Sequence, residues 1–218
     1  MLKEVTQSVY FDYYGENLFY IEAVIEKLLE RIHEIDSRRE VRGERKLTDN
    51  VRYRIKSPES MKAKLKKRGM ETDCHSALTN LYDAAGLRII CPYIDDVYLM
   101  AKKLSHMSDI EVIEVKDYIK NPKENGYRSY HMIIKTPVLY NGETKHVIAE
   151  VQIRTMVMNS WASCEHQLKY KKDVSAKESV ALLKRCADEM LKIDYSMLAI
   201  REMMEGKESA KCRMQSAE

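Results

Sequence analysis

Two apolar-alternating runs, Tyr127 to Lys135 and His146 to Arg154, lie on either side of Asn141-Gly142, and this arrangement constrains the chain more than any other feature. Asn-Gly is the dipeptide that most readily closes a tight hairpin, so the two runs are expected to pair as antiparallel strands. In the second run Val147, Ala149, Val151 and Ile153 fall on one side, and Glu150, Gln152 and Arg154 on the other. A sheet so built needs cover for its apolar side, and the rest of the chain offers it. Leu18, Ile21, Ile25, Leu28, Leu29 and Ile32 recur at helical spacing over residues 18 to 35. A polar stretch, 36 to 50, reads as a loop or a frayed helix end. Helices are expected at about 58 to 68, 73 to 82 and 95 to 107, with strands at 85 to 91 and 110 to 115 and a polar loop from Asp117 to Gly126. Two long helices follow, about 155 to 170 and 176 to 204, and a polar tail from Gly206 reads as disordered. Helices before, between and after the strands of a mixed sheet make the expected fold α+β, in one domain.

Composition sets outer limits. The 218 residues carry 37 basic and 34 acidic side chains, a net charge of +3, so this is no general nucleic-acid coat. Five cysteines without CxxC spacing read as thiols of a reducing compartment, and no apolar run reaches membrane length; a cytoplasmic location is expected. The six histidines show no zinc spacing.

The positive charge is local. Eight Lys or Arg residues stand between Arg52 and Arg68 against one acid, Glu59. Ser57 suits a helix N-cap, Pro58 the first helical position and Gly69 the stop. Ser60 and Lys64 then lie one turn apart, with Lys56 just ahead on the same line. Such a helix start suits phosphate, although a solvated basic face has the same composition. Asp83 enters a short apolar strand, and Arg88 stands inside it. They could form a structural ion pair, or Asp83 could bind Mg²⁺ together with Glu150 while Arg88 meets a base or phosphate. Tyr127, Ser129 and His131 share a strand face by the same alternation, with Lys123 in the preceding loop; ring, hydroxyl, imidazole and ammonium suit a nucleotide. The Glu150 face could equally be an ordinary solvent side. No P-loop, GxGxxG or GxSxG motif is present. An RNA-binding module using Tyr127, Tyr130 and Tyr140, a nucleotidyltransferase releasing pyrophosphate and an inactive scaffold are the rival readings.

Taken in order, Arg54-Ile-Lys56…Ser60…Lys64, Asp83-x-x-Gly-x-Arg88, Lys123-x-x-Gly-Tyr127-Arg-Ser-Tyr-His131, Glu150-Val-Gln152-Ile-Arg-Thr155 and Asn159-Ser-Trp161…Glu165-His166…Tyr170-Lys171 resemble the RelA/SpoT synthetase domain. The match spans roughly residues 20 to 200 and is nearest to the small, single-domain alarmone synthetases. The resemblance implies a nucleotidyltransferase-like fold with extra terminal helices: a helical segment over 1–36, a catalytic core over 52–155 and helices over 155–204. It also implies transfer of the β,γ-pyrophosphate of ATP to the 3′-hydroxyl of GDP or GTP, without hydrolase activity. By position, Arg54 and Arg88 would sandwich adenine, and Lys56, Ser60 and Lys64 would hold the ATP phosphates. Asp83 and Glu150 would bind Mg²⁺, with Glu150 a further candidate for the base. Tyr127 would stack on guanine, Lys123 and His131 would approach the acceptor's phosphates, and Gln152 would position its ribose. A homo-oligomer, a tetramer by resemblance, is implied too. The terminal stripe of Leu182, Leu183, Met190, Leu191, Ile193 and Met197 is expected to be core or subunit interface, and Trp161, Met156 and Met158 core.

Overall fold

A computed structural model describes residues 2–171 and 177–206. Helices α1 (Leu2–Tyr14) and α2 (Asn17–Val41) precede β1 (Asn50–Ile55), α3 (Pro58–Lys67), α4 (Cys74–Asn80) and β2 (Ala85–Cys91). Then come α5 (Ile94–Ser105), β3 (Glu111–Asp117), β4 (Tyr130–Tyr140), β5 (Glu143–Thr155), α6 (Met156–Lys171) and α7 (Lys177–Met204). The five strands form one sheet in the order β1-β2-β5-β4-β3. Only β2 and β5 run parallel; every other pair is antiparallel. The expected mixed sheet and α+β class are therefore present.

The β4–β5 hairpin turns at Asn141 (φ 49°) and Gly142 (φ 79°), with Tyr140 opposite Glu143. Two successive positive φ values match the right-handed twist of the strands, which is why Asn-Gly sits there. The alternation also holds: Ala149, Val151 and Ile153 are buried, as are Leu87 and Ile89 of β2 and Met132 and Ile134 of β4. Helices α2 and α5 pack on these strands with Ile21, Val24, Ile25, Leu28, Val97, Met100 and Leu104. One face of the sheet is thereby core, and its polar face is left for chemistry.

Some of these expectations fail and others are narrowed. Of the two readings of residues 36 to 50, the helix end holds as far as 41, where α2 stops, supported by Arg31–Glu34 and Arg38–Glu34 pairs. Buried Asp36 accepts from the Leu47 N–H and the Thr48 hydroxyl, so its charge anchors the returning chain. Strand β1 has no apolar alternation because it is an edge strand with Arg52, Tyr53 and Arg54 exposed. Strand pairing of β4 begins at Tyr130, so Tyr127 and Ser129 precede the strand, and the Ser129 side chain is buried. Met156 is 48% exposed on the first turn of α6, whereas Met158 and Trp161 are core. The α7 stripe divides: Leu183, Met190 and Leu191 are half-buried, but Leu182, Ile193 and Met197 are exposed. The tail from 207 onward lies outside the described residues.

The polar strand β5 hands over to the terminal helices through one buried carboxyl. The Thr155 hydroxyl accepts from the Met158 N–H (3.0 Å), capping α6, and donates to Asp194 Oδ2 of α7 (2.8 Å). Burial lifts the Asp194 carboxyl from 3.8 to about 6, against the opposing Thr155 hydrogen bond. A raised folded pKa means the native state holds this proton more tightly than the unfolded chain. Stability should therefore be highest below pH 4 for this group and fall as pH rises through about 6. At about 1.4 kcal/mol per tenfold change in proton affinity, the loss is up to roughly 3 kcal/mol. Asp194→Asn keeps an acceptor without a charge, so it should melt higher than the parent at pH 8 and level with it at pH 4. Parallel melting curves at those two pH values check this, and a constant offset at both would refute it.

Candidate active site

The strand register lines up the candidate residues on the uncovered face of the sheet. One row runs Arg52, Arg88, Gln152, His131 and Lys116 across all five strands; the neighbouring row holds Arg54, Gly86 and Glu150. Gly86 adds no side chain to that row. The gap belongs to a cavity of about 210 Å³ lined by Arg52, Arg54, Gly86, Arg88, Glu150 and Gln152. Burial, with the neighbouring guanidiniums of Arg154 and Arg54, lowers the pKa of Arg88. Among the described residues, none of Arg52, Arg54, Arg88 and Arg154 pairs with a carboxylate. The ion pair between Asp83 and Arg88 left open by the sequence does not form. A cluster of cations without counter-charge, Arg154 buried, Arg88 half-buried and Arg52 and Arg54 exposed, is suited to an anionic ligand.

Next to this cavity stands the lysine cluster. The Lys56 N–H donates to the Ala84 carbonyl (2.9 Å), which sets the end of β1 beside Asp83. Ser57 then caps α3 by accepting from the Ser60 N–H, with Pro58 at the first helical position. Lys56 and Lys64 both donate to Asp83 Oδ2. Burial works to raise the Asp83 pKa, but these two hydrogen bonds outweigh it and hold the carboxyl below the ordinary range. Asp83 Oδ1 is buried and has no hydrogen-bond partner. Ser60 lies exposed on the first turn of α3, its hydroxyl 3.0 Å from that of Ser57.

A third group surrounds Glu150. His131 Nδ1 lies 3.1 Å from Glu150 Oε1, and Gln152 Nε2 donates to Oε2 (2.9 Å). A carboxylate can only accept, so Nδ1 carries the proton and Nε2, if the ring is neutral, accepts from the Tyr127 hydroxyl 2.8 Å away. Arg154, 4% exposed, donates to the Tyr127 oxygen, to Gln152 Oε1 (3.0 Å) and to Ser129 Oγ (3.2 Å). Burial would raise the Glu150 pKa, but the bonds from His131 and Gln152 lower it on balance, while Asp83 acts in the opposite sense. That last influence places the two carboxylates within electrostatic reach. Lys123 holds its ammonium 4.8 Å from the Tyr127 ring centroid.

The residues fit a divalent cation in part. Asp83 Oδ1 is an orphaned hard oxygen, and Glu150 is an ionised carboxylate nearby. No group of three His, Cys, Asp or Glu that could hold a metal exists among the described residues. Two protein oxygens suit Mg²⁺ when substrate phosphates complete its shell.

The family model described as the region found in RelA / SpoT proteins matches residues 53–175. The chain belongs to the RelA/SpoT family. Within it, GTP pyrophosphokinase YwaC of Bacillus subtilis (strain 168) is 40% identical over 156 residues, 71% of this chain and 74% of that protein. GTP pyrophosphokinase YjbM of the same organism is 40% identical over 125 residues, 57% of this chain and 59% of that protein. The fold matches small alarmone synthetase 1 from Bacillus subtilis, solved bound to its product pppGpp, with a TM-score of 0.79 and 31% identity over 88% of this chain and 97% of that one. Small alarmone synthetase 2 from that organism matches with a TM-score of 0.78 and 35% identity over 87% and 98%.

For this RelA/SpoT chain, sequence reasoning missed Arg154 as a bridge and Tyr118 altogether. Arg154 was visible on the polar side of β5, but its contact with Tyr127, 27 positions away, depends on tertiary structure. Tyr118 leaves β3 inside a polar loop and carries no periodic signal, yet its ring meets both Tyr127 (5.9 Å) and His131 (5.2 Å). Of the terminal motif, Trp161 Nε1 donates to the Leu183 carbonyl (3.1 Å), and the Glu165 carboxylate accepts from Asn125 (3.1 Å). The side chains of Tyr170 and Lys171 lie outside the described residues.

Proposed function

We propose that this chain is a pyrophosphotransferase that moves the β,γ-pyrophosphate of ATP to the 3′-hydroxyl of GDP or GTP, giving (p)ppGpp and AMP. The observation that carries it is a cavity lined by the unpaired Arg52, Arg54 and Arg88 with Glu150, beside which Lys56 and Lys64 converge on Asp83. These residues come from three separate stretches of chain. The names of its relatives, GTP pyrophosphokinase and small alarmone synthetase, point the same way.

Arg54 and Arg88 flank the adenine, while Lys56 and Lys64 turn from Asp83 toward the phosphates, which Ser60 also meets. Asp83 and Glu150 hold Mg²⁺, which when bound neutralises charge spreading over the transferred phosphoryl groups. Tyr127 stacks on guanine, Gln152 orients the ribose, and Lys123 and His131 serve the acceptor's phosphates. Glu150 also takes the 3′-hydroxyl proton in this reading, a role supported by the His131 and Gln152 bonds that hold its carboxyl below the ordinary range. A homo-oligomer fits the apolar residues left exposed on α7, Ile193, Met197 and Ile200 among them. No helix among the described residues is long and apolar enough to cross a membrane, and a cytoplasmic enzyme is proposed.

Incubation with ATP, Mg²⁺ and labelled GDP should yield AMP and a 3′-pyrophosphorylated guanosine in equal amounts. Release of pyrophosphate would point to nucleotidyl transfer instead. No ATP consumption together with tight RNA binding would point to the binding-module reading.

A further inference from the structure

Lys123 is exposed, and among the described residues it pairs with no carboxylate. Its ammonium lies 4.9 Å from the Tyr118 ring centroid and 4.8 Å from that of Tyr127. The two rings stand 5.9 Å apart at 68°, and His131 packs edge-on against each. The backbone around them is fixed. The Lys123 N–H donates to the Tyr127 carbonyl (3.2 Å), Gly126 N–H to the Lys123 carbonyl (2.8 Å), and Tyr118 N–H to the Ser129 carbonyl (3.0 Å). Gly126, at φ +88°, is pressed onto α7: a Cβ there would meet Ala187 Cβ at 2.6 Å. Gly126 is thus in close contact with α7, and the lysine stem gives the ammonium its reach.

We propose that Tyr118 and Tyr127 form a two-ring pocket that Lys123 occupies at rest, and that the acceptor's purine base evicts it. The freed ammonium then turns to the acceptor's phosphates. This rests on the pyrophosphotransferase reading for the identity of the acceptor. Stacking of a base on an aromatic ring outweighs a solvated ammonium–ring contact, so the exchange runs toward the base. Phosphates on the same molecule give the ammonium a better partner than the rings did. Base and phosphate recognition are thereby coupled: a nucleoside without phosphates displaces the cation and leaves it unpartnered. Tyr118 becomes a specificity residue for the acceptor, acting through its ring, since its hydroxyl has no hydrogen-bond partner among the described residues.

The test uses guanosine and GDP titrated into the full chain. Trp161, the sole tryptophan, lies 6.3 Å from the Tyr127 ring and reports by fluorescence; calorimetry gives the affinities. In Lys123→Ala, guanosine should bind roughly two- to fivefold more tightly than in the parent, the effect of removing a weak cation–ring contact. GDP should bind about tenfold more weakly. A lysine that only touched phosphate would weaken GDP and leave guanosine unchanged, and that result overturns the proposal. Tyr118→Ala should weaken both ligands about tenfold while sparing ATP, and Tyr118→Phe should match the parent; GDP affinity unaltered in Tyr118→Ala also overturns it. Circular dichroism confirms folding of each variant. Because these are binding measurements, a parent chain that binds guanosine as described yet forms no pyrophosphorylated product would fail the reaction and keep the pocket.

Discussion

Asp83→Asn and Glu150→Gln are each expected to fold and to lose turnover by about a hundredfold or more, on the order of 3 kcal/mol of transition-state stabilisation. Pyrophosphoryl transfer leaves little covalent work to the protein; its task is to align the reactants and neutralise charge. Replacing either carboxylate by its amide keeps the shape of the site and removes one of two anionic oxygens within mutual electrostatic reach. The two losses should differ in character. At Asp83 the amide also deprives Lys56 and Lys64 of their counter-ion. A depressed folded pKa contributes stability above the ordinary carboxylate range that is lost as pH falls through the folded value. Asp83→Asn should therefore melt somewhat below the parent at pH 7, and the gap should close on acidification. At Glu150 the amide oxygen can still accept from Gln152, and its NH2 can donate to His131 Nδ1 once the ring takes its other tautomer, so the melting change should be modest while kcat falls. Steady-state rates at pH 7, with melting curves at pH 7 and well below pH 3.8, decide the matter. Full activity in both variants would remove the assignment of these residues to metal and proton chemistry.

The sequence and the structure part company in instructive places. Helix α3 was legible to within one residue because Ser57, Pro58 and Gly69 act locally, through a side-chain cap, a fixed φ and a left-handed stop (φ +67°). The Asn141-Gly142 hairpin and the polar side of β5 were legible for the same reason. Strand β1 was not: an edge strand with Arg52 and Arg54 exposed has only its hydrogen bonds to β2 to define it, and those come from residues 30 or more positions away. The partners of Asp83 were hidden for the same cause, since β1 must pair before Lys56 reaches it. Ser129 was assigned to the ligand face from alternation that starts too early; it is instead buried under Arg154. Short-range stereochemistry is written in short motifs. Which cations go unpaired is a property of the assembled sheet.

Gly86→Val is expected to raise the KM for ATP roughly tenfold to a hundredfold while leaving the fold and the acceptor affinity near the parent's. Gly86 is in ordinary extended backbone, so its lack of a side chain is not needed for a turn, and valine suits a strand. What the glycine leaves is space. A Cβ at that position would sit 3.6 Å from Arg54 Cγ and 3.8 Å from Arg54 Nε, ordinary contact, so Gly86→Ala should be mild. The two further methyl groups of valine must go either into the cavity, between Arg54 and Glu150, or against the Arg54 stem. Either outcome disturbs the surface proposed to hold adenine, and overfilling a packed site typically costs about 1–3 kcal/mol, hence the range given. The effect should fall on ATP because His131 lies on β4, on the far side of Gln152, with Tyr127 hydrogen-bonded to it just before that strand. Separate KM values for ATP and GDP in the alanine and valine variants provide the check. Equal losses for both substrates, or none with valine, would mean that the gap beside Arg54 is not where the donor binds.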